Sequence, residues 1–232
     1  MRQIYPQYQS ADQVLTETAA GTFMSRVYAW MVGGLALTGV TAFLVATTPA
    51  AMQVVAGLFW PLAIAQLVVV FALSALAPRV SGPVAALMFL GYSFLTGLTF
   101  SGLFWVYQLG SVASAFFVTA GAFGALSAYA TVTKRDLMPW SKFLFIGLIG
   151  IVLASLVSLF VHSGMLVFVI NCAAVLVFGG LTAFHTQMLR QYYATAGYRS
   201  AQALAVNGAL MLYLDFINLF MSILSLTGRR RD

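Results

Sequence analysis

Asp215 stands in the run LYLDFINLF, Leu212 to Phe220, and is the one acid of five placed deep inside a long apolar segment. Asp12, Glu17, Asp136 and Asp232 all fall near polar or charged stretches. A carboxylate at membrane depth costs about 2.5–3.5 kcal/mol on insertion scales. A chain that keeps one pairs it, or uses it to bind protons or attract cations. On a helix, Asn207, Asp215, Asn218 and Ser222 fall on one stripe, at offsets of 8, 3 and 4, with Met211 filling the gap. Such a stripe faces a bundle interior or water rather than lipid. Interhelical hydrogen bonding alone would account for the amides and the hydroxyl. The carboxylate favours a further role, because neutral groups make such bonds at lower cost.

His185 is the second group with chemistry to offer. It lies in FHTQ, Phe184 to Gln187, 30 residues before Asp215. Two readings stand: a hydrogen-bonded structural histidine, or a partner for Asp215. The helices that carry them are expected to run antiparallel, with His185 nearer the interface and Asp215 deeper. A bend in either helix, or unwinding near Gly208, would close that gap. Gln66 and Asn171 also lie at membrane depth and read as packing residues with hydrogen bonds. His162 reads as interfacial. The triplet Lys134-Arg135-Asp136 reads as a short turn whose acid pairs locally or caps the next helix.

The elements that must position these groups follow from composition. Hydrophobic residues make up 62% of the 232 and charged residues 7%, against about 25% charged in a soluble domain. Mean hydropathy is +0.96. At about 20 apolar residues per crossing, the chain has room for six or seven spans. The runs read as helices at about 22–46, 51–76, 83–107, 111–132, 140–161, 165–188 and 203–226, since in lipid a backbone satisfies itself only as helix or closed barrel. The expected organisation is a polar N-terminal tail over 1–20, an all-α bundle of seven transmembrane helices over 21–228 and a basic tail over 229–232. The first twenty residues lack the apolar core of a cleavable signal peptide.

The eleven basic residues do not form a nucleic-acid surface. They recur in alternate connections: Arg2 and Arg26, then Arg79, then Lys134, Arg135 and Lys142, then Arg190 and Arg199. The breaks near Pro49, Gly110 and Ser163 carry none, so the positive-inside rule puts the N-terminus in the cytoplasm. Seven full spans then put Arg229, Arg230 and Arg231 outside, against the rule. A full seventh span is favoured over a re-entrant one by the length of the run. Trp30, Trp60, Trp105, Trp140 and the Tyr192-Tyr193 pair read as interfacial aromatics. Gly33-Gly34, Gly97 with Ser101, Gly121 with Ala125, and Gly179-Gly180 read as close-approach positions between helices.

Enzyme classes find little support. There is no phosphate-binding glycine loop, no HExxH and no GxSxG. An intramembrane aspartyl protease needs two facing aspartates. Cys172 has no second cysteine and no metal partner at ligand spacing, and reads as a small core residue. No resident cofactor is expected, and no internal repeat points to an inverted-repeat transporter.

Several stretches carry a family likeness: VYAWMVGGLALTGVTAF in helix one, GLTFSGLF in helix three, TKRDL after helix four, FHTQ in helix six and LYLDFINLF in helix seven. In these the chain resembles the bacterial branch of the Bax-inhibitor, or transmembrane Bax-inhibitor-motif, family. The resemblance implies a seven-helix bundle with the last helix central, in the bacterial inner membrane. It implies a pH-sensitive calcium leak, with calcium as permeant ion bound weakly and transiently at Asp215. It also implies a pH sensor made of two aspartates, one on helix six and one in the LYLD motif. Asp215 matches the second, and His185 stands where the first is expected. Two close carboxylates share a proton, whereas imidazole and carboxylate form a hydrogen bond or an ion pair. An alternative role implied by the same resemblance is a non-conducting regulator of other membrane proteins, such as a membrane quality-control protease.

Overall fold

The computed structural model describes the backbone of residues 6–76, 79–192 and 200–231, and the side chains of 18–76, 79–191 and 200–231. Among these residues the secondary structure is helical: α1 Pro6–Ala46, α2 Pro49–Gly57, α3 Phe59–Leu76, α4 Gly82–Phe100, α5 Leu103–Val106, α6 Leu109–Val132, α7 Ser141–Ser158, α8 Gly164–Tyr192 and α9 Ala201–Thr227. A 3-10 turn, Met138–Trp140, leads into α7. Seven stretches are long and apolar enough to cross a membrane, in agreement with the seven read from sequence.

Three boundaries differ from that reading for local reasons. Helix two is split at Leu58 into α2 and α3. Pro61 explains the break, since a proline ring clashes with the carbonyl four residues back, here Gly57, the last residue of α2. Helix three is interrupted at Ser101-Gly102, where the short α5 begins. Helix one starts well before residue 22: α1 runs continuously from Pro6, and its membrane-length part is Thr18–Ala46. Tyr193 and Arg199 lie outside the described residues.

The last helix is the centre of the bundle. The membrane-length stretch of α9 is 61% buried, against 44% for Gly82–Val106 and between 6% and 28% for the other five. It packs against α1, α4, α6 and α8. Two helices stand outside this inner group, each 6% buried: α3, which leans on α4, and α7, which leans on α8. Exposed side chains such as Phe71, Leu87, Phe117, Phe160 and Leu176 form the lipid-facing surface. Of the small residues read as contact points, Gly97 meets Thr38 and Thr41 of α1, and Gly180 meets Leu144 of α7. Gly34 meets Phe89 and Ser93 of α4, while its neighbour Gly33 and also Gly121 face open space.

The seventh span is a single uninterrupted helix. Past Thr227 the tail turns back onto the start of α6: Arg229 accepts from Gln108 N through its carbonyl (3.0 Å), and Arg231 N donates to Val106 O (2.9 Å). The Arg231 guanidinium donates to Phe104 O (2.9 Å). The basic tail therefore sits with the break near Gly110, at the end of the bundle opposite Lys134 and Arg135.

Candidate functional site

The site is built on three helices that share one end of the bundle. His185 lies in the last third of α8 and Asp215 near the middle of α9. His185 Nδ1 and Asp215 Oδ2 are 2.7 Å apart. With the carboxylate as acceptor, Nδ1 is the protonated nitrogen. The Asp215 side chain is 4% exposed and that of His185 is 20% exposed, so the carboxylate is shielded and the imidazole is the face presented outward. The two open readings of His185 resolve to the partner reading.

The contact forms without unwinding near Gly208. α9 is continuous through Gly208, where an added Cβ would lie 2.9 Å from Leu189 of α8 and 3.3 Å from Val27 of α1. The glycine thus serves as a close crossing, not as a hinge. Asp215 meets His185 because α8 and α9 run antiparallel in register: Leu189 faces Gly208, and Asn171 Nδ2 donates to Ser225 Oγ at 3.0 Å near the other end.

The depth of His185 follows from α7. Leu144 faces Gly180 and Val177 faces Gly147, so α7 and α8 are antiparallel. His185 is five residues, about 7.5 Å of rise, beyond Gly180. That places it level with the start of α7, beside Trp140, Ser141 and Lys142. His185 therefore lies toward one end of α8, while Asp215 stays near the middle of α9.

A cleft of about 1000 Å³ opens between α7 and α9, with α8 as its floor. His185, Asp215 and Asn218 line it, together with Ser141 and Lys142. Lys142 was legible in the sequence only as an orientation charge. Its place beside the pair depends on how α7 docks. Asn218 Nδ2 donates to Leu214 O (2.8 Å), so its amide oxygen and second N–H are the groups it can present to the cleft. Asn207 and Ser222 belong to the same stripe but are buried away from it: Ser222 Oγ donates to Asn218 O (2.8 Å), and Asn207 is 6% exposed. The structure thus brings Asp215, His185 and Asn218 together and leaves Asn207 and Ser222 in the packing of α9.

The remaining polar groups lie outside the cleft. Gln66 donates to Thr99 Oγ1 (2.8 Å). His162 is exposed in the α7–α8 connection, and Cys172 is a half-buried free thiol. Asp136 Oδ1 accepts from Met138 N (2.9 Å), capping the 3-10 turn. Gln187, two residues past His185, accepts from Leu137 N (2.7 Å) and donates to Arg135 O (2.9 Å). The connection before α7 is thereby pinned to the helix that carries the histidine. This clamp was not foreseen, although the TKRDL and FHTQ stretches that form it were both singled out.

One family model and three relatives bear on identity. Residues 20–232 match the family model described as inhibitor of apoptosis-promoting Bax1. A protein of Deinococcus radiodurans is 46% identical over 97% of this chain and 95% of its own length. The Escherichia coli K12 protein called inner membrane protein YbhL is 45% identical over 90% of this chain and 92% of its own. A Caulobacter vibrioides protein is 37% identical over 96% of this chain and 95% of its own.

Proposed function

This chain belongs to the Bax-inhibitor family, as a multi-pass protein of the bacterial inner membrane, and from that premise we propose that it is a pH-sensitive cation leak. Calcium is the permeant ion, and His185 and Asp215 form the gate. The protein acts by conduction and not by catalysis. The N-terminus is cytoplasmic, following the alternation of basic connections. The observation that carries this reading is the 2.7 Å contact between a shielded carboxylate and a cleft-facing imidazole.

The chemistry of the gate is a change of net charge. With a neutral imidazole, the pair is net negative and draws a cation toward Asp215. With an imidazolium, the pair is a neutral ion pair and the attraction is lost. Flux is therefore expected to fall as pH drops. Calcium favours 6–8 oxygen ligands. The pair offers one carboxylate and the nearby Asn218 amide oxygen. Among the described residues there is no group of three or more His, Cys, Asp or Glu. Binding this weak suits passage rather than storage.

The test is calcium flux into liposomes between pH 6 and 8. Asp215→Asn keeps an oxygen toward His185 but removes the charge, and is expected to abolish the pH dependence. Unchanged flux and unchanged pH response in that variant would sink the gate.

The alternative reading, a non-conducting regulator of a membrane quality-control protease or another membrane protein, draws on α1, which continues as helix from Thr18 back to Pro6, beyond the span. Deleting residues 2–17 separates the two. A leak survives the deletion, and partner binding is lost.

A further inference from the structure

We propose that the cleft between α7 and α9 is a binding site for one anionic phospholipid of the surrounding leaflet. The headgroup sits at Lys142 and Ser141, and an acyl chain lies along α7. This rests on the cleft itself and not on the leak.

The cleft has two chemically distinct parts. Its polar end holds the Lys142 ammonium, the Ser141 hydroxyl and the exposed edge of His185, all at one depth by the register of α7 and α8. Beyond that end the lining is apolar along α7, through Leu148, Val152 and Leu156 to Leu159, with Ser155 the one polar side chain. From Lys142 to Val152 the helix rises about 15 Å, half of the ~30 Å hydrocarbon thickness of a bilayer and so the depth of one leaflet. One face of α7 is thus an amphiphile-length wall with a cation at the boundary.

The gap calls for an occupant. α7 packs on α8 and is only 6% buried, and Val152 and Leu156 are 51% and 53% exposed. Water in an apolar slot of this kind lacks hydrogen-bond partners. An empty slot forfeits the dispersion contacts of its walls. The bilayer beside α7 supplies acyl chains. Charge decides the headgroup: Asp215 also lines the cleft but its side chain is only 4% exposed, whereas Lys142 is exposed, so the lysine is the charge an incoming headgroup meets first. Snorkelling of the lysine to the boundary places its ammonium at phosphate level. Among the described residues, the other charged groups at this end include Lys134, Arg135 and Asp136 on the preceding connection, Arg190 on α8, Arg26 on α1 and Arg79 before α4. Arg190 donates to Thr131 O at 3.1 Å, and Asp136 is engaged in its cap.

Native mass spectrometry of the full chain, loaded from mixed phosphatidylglycerol and phosphatidylcholine, counts the lipid retained. The wild type is expected to keep one phosphatidylglycerol in preference to phosphatidylcholine. Lys142→Gln should weaken that retention about fivefold, the effect of one basic residue at an anionic surface, and leave phosphatidylcholine unchanged. Lys142→Arg should restore it, and Lys134→Gln, off the cleft at the same end, should match the wild type. Val152→Trp, at an exposed position, should fill the slot and lose both lipids. Equal retention of the two lipids by the wild type overturns the proposal. So does a Lys134→Gln loss as large as that of Lys142→Gln, which would mean diffuse surface charge. Unchanged retention by Val152→Trp would mean annular lipid, and retention of free fatty acid in place of phospholipid would mean a different ligand; either result also overturns it.

Discussion

Asp215 and Tyr213 are two residues apart on α9 and point to opposite sides of it, about 200° around the helix. Asp215 looks toward α8 and the open cleft, where one partner, His185, is 20% exposed. Tyr213 looks into the packing of α1 and α4 and is fully buried. Its hydroxyl lies 2.7 Å from Thr38 Oγ1, and Thr38 donates to Ser93 O at 2.9 Å. Its ring meets Phe89 and Tyr92 edge to face, at 5.7 and 5.9 Å. Both faces bury a polar group at membrane depth and both satisfy it. One is neutral and sealed on every side. The other is ionisable and sealed on one side only. A bundle that needed nothing but helix–helix hydrogen bonds has, in the Tyr213 face, the cheaper way of making them. The Asp215 face is therefore the one whose chemistry asks for a function.

The largest effect should come from removing one member of the ionisable pair. His185→Ala leaves Asp215 without the partner it has on α8. Breaking a buried pair from one side costs about 3–5 kcal/mol, and the opening toward the cleft should hold this to the lower end, about 3 kcal/mol. The penalty belongs to the charged carboxylate. It is present at pH values where Asp215 is ionised and lost where it is protonated. Unfolding midpoints in detergent at two pH values check this. A variant equally destabilised at both would show that the histidine matters by packing alone.

The sealed face should respond more weakly and without pH dependence. Tyr213→Phe or Thr38→Val removes one of two buried hydroxyls and leaves the other with poorer partners, at about 1–3 kcal/mol each. Removing both should recover part of the loss, because two apolar surfaces then meet. The double-mutant cycle on detergent unfolding measures that coupling. Calcium flux should keep its pH response in all three variants. A flattened response in Tyr213→Phe would erase the distinction between the two faces.

The sequence announced the two faces unequally. A single acid in a long apolar run is legible because nothing else explains it, and the stripe with Asn218 follows from helical spacing. The sealed face gave no such sign. Tyrosines and threonines are ordinary in apolar segments, and Thr38 meets Tyr213 across 175 residues, which no local pattern encodes. The seven spans were legible from hydropathy, and the split of helix two was implicit in Pro61. The cleft was not, because it depends on α7 docking to α8 while standing off α9. Lys142 looked like a topology signal for the same reason.

The smallest effect should appear at an outer glycine, set against a crossing glycine of the sealed face. Gly97→Ala would put a Cβ 2.8 Å from the Thr38 carbonyl and 2.6 Å from Thr41 Cβ. It would push α4 off α1 just where Thr38 reaches Tyr213. Overpacking of this kind costs about 1–3 kcal/mol. Gly150→Ala, on α7, meets nothing within 4 Å and should change stability by no more than about 0.5 kcal/mol. Thermal unfolding of the two alanine variants in detergent compares the faces by shape alone, with no charge involved. If the outer helix tolerates the methyl and the inner crossing does not, the rigid side of α9 is the one holding Tyr213. The face carrying Asp215 then borders the part of the bundle with room to move. Equal sensitivity at both glycines would mean that α7 is held as tightly as α4, and the cleft would lose its standing as the adaptable side of the molecule.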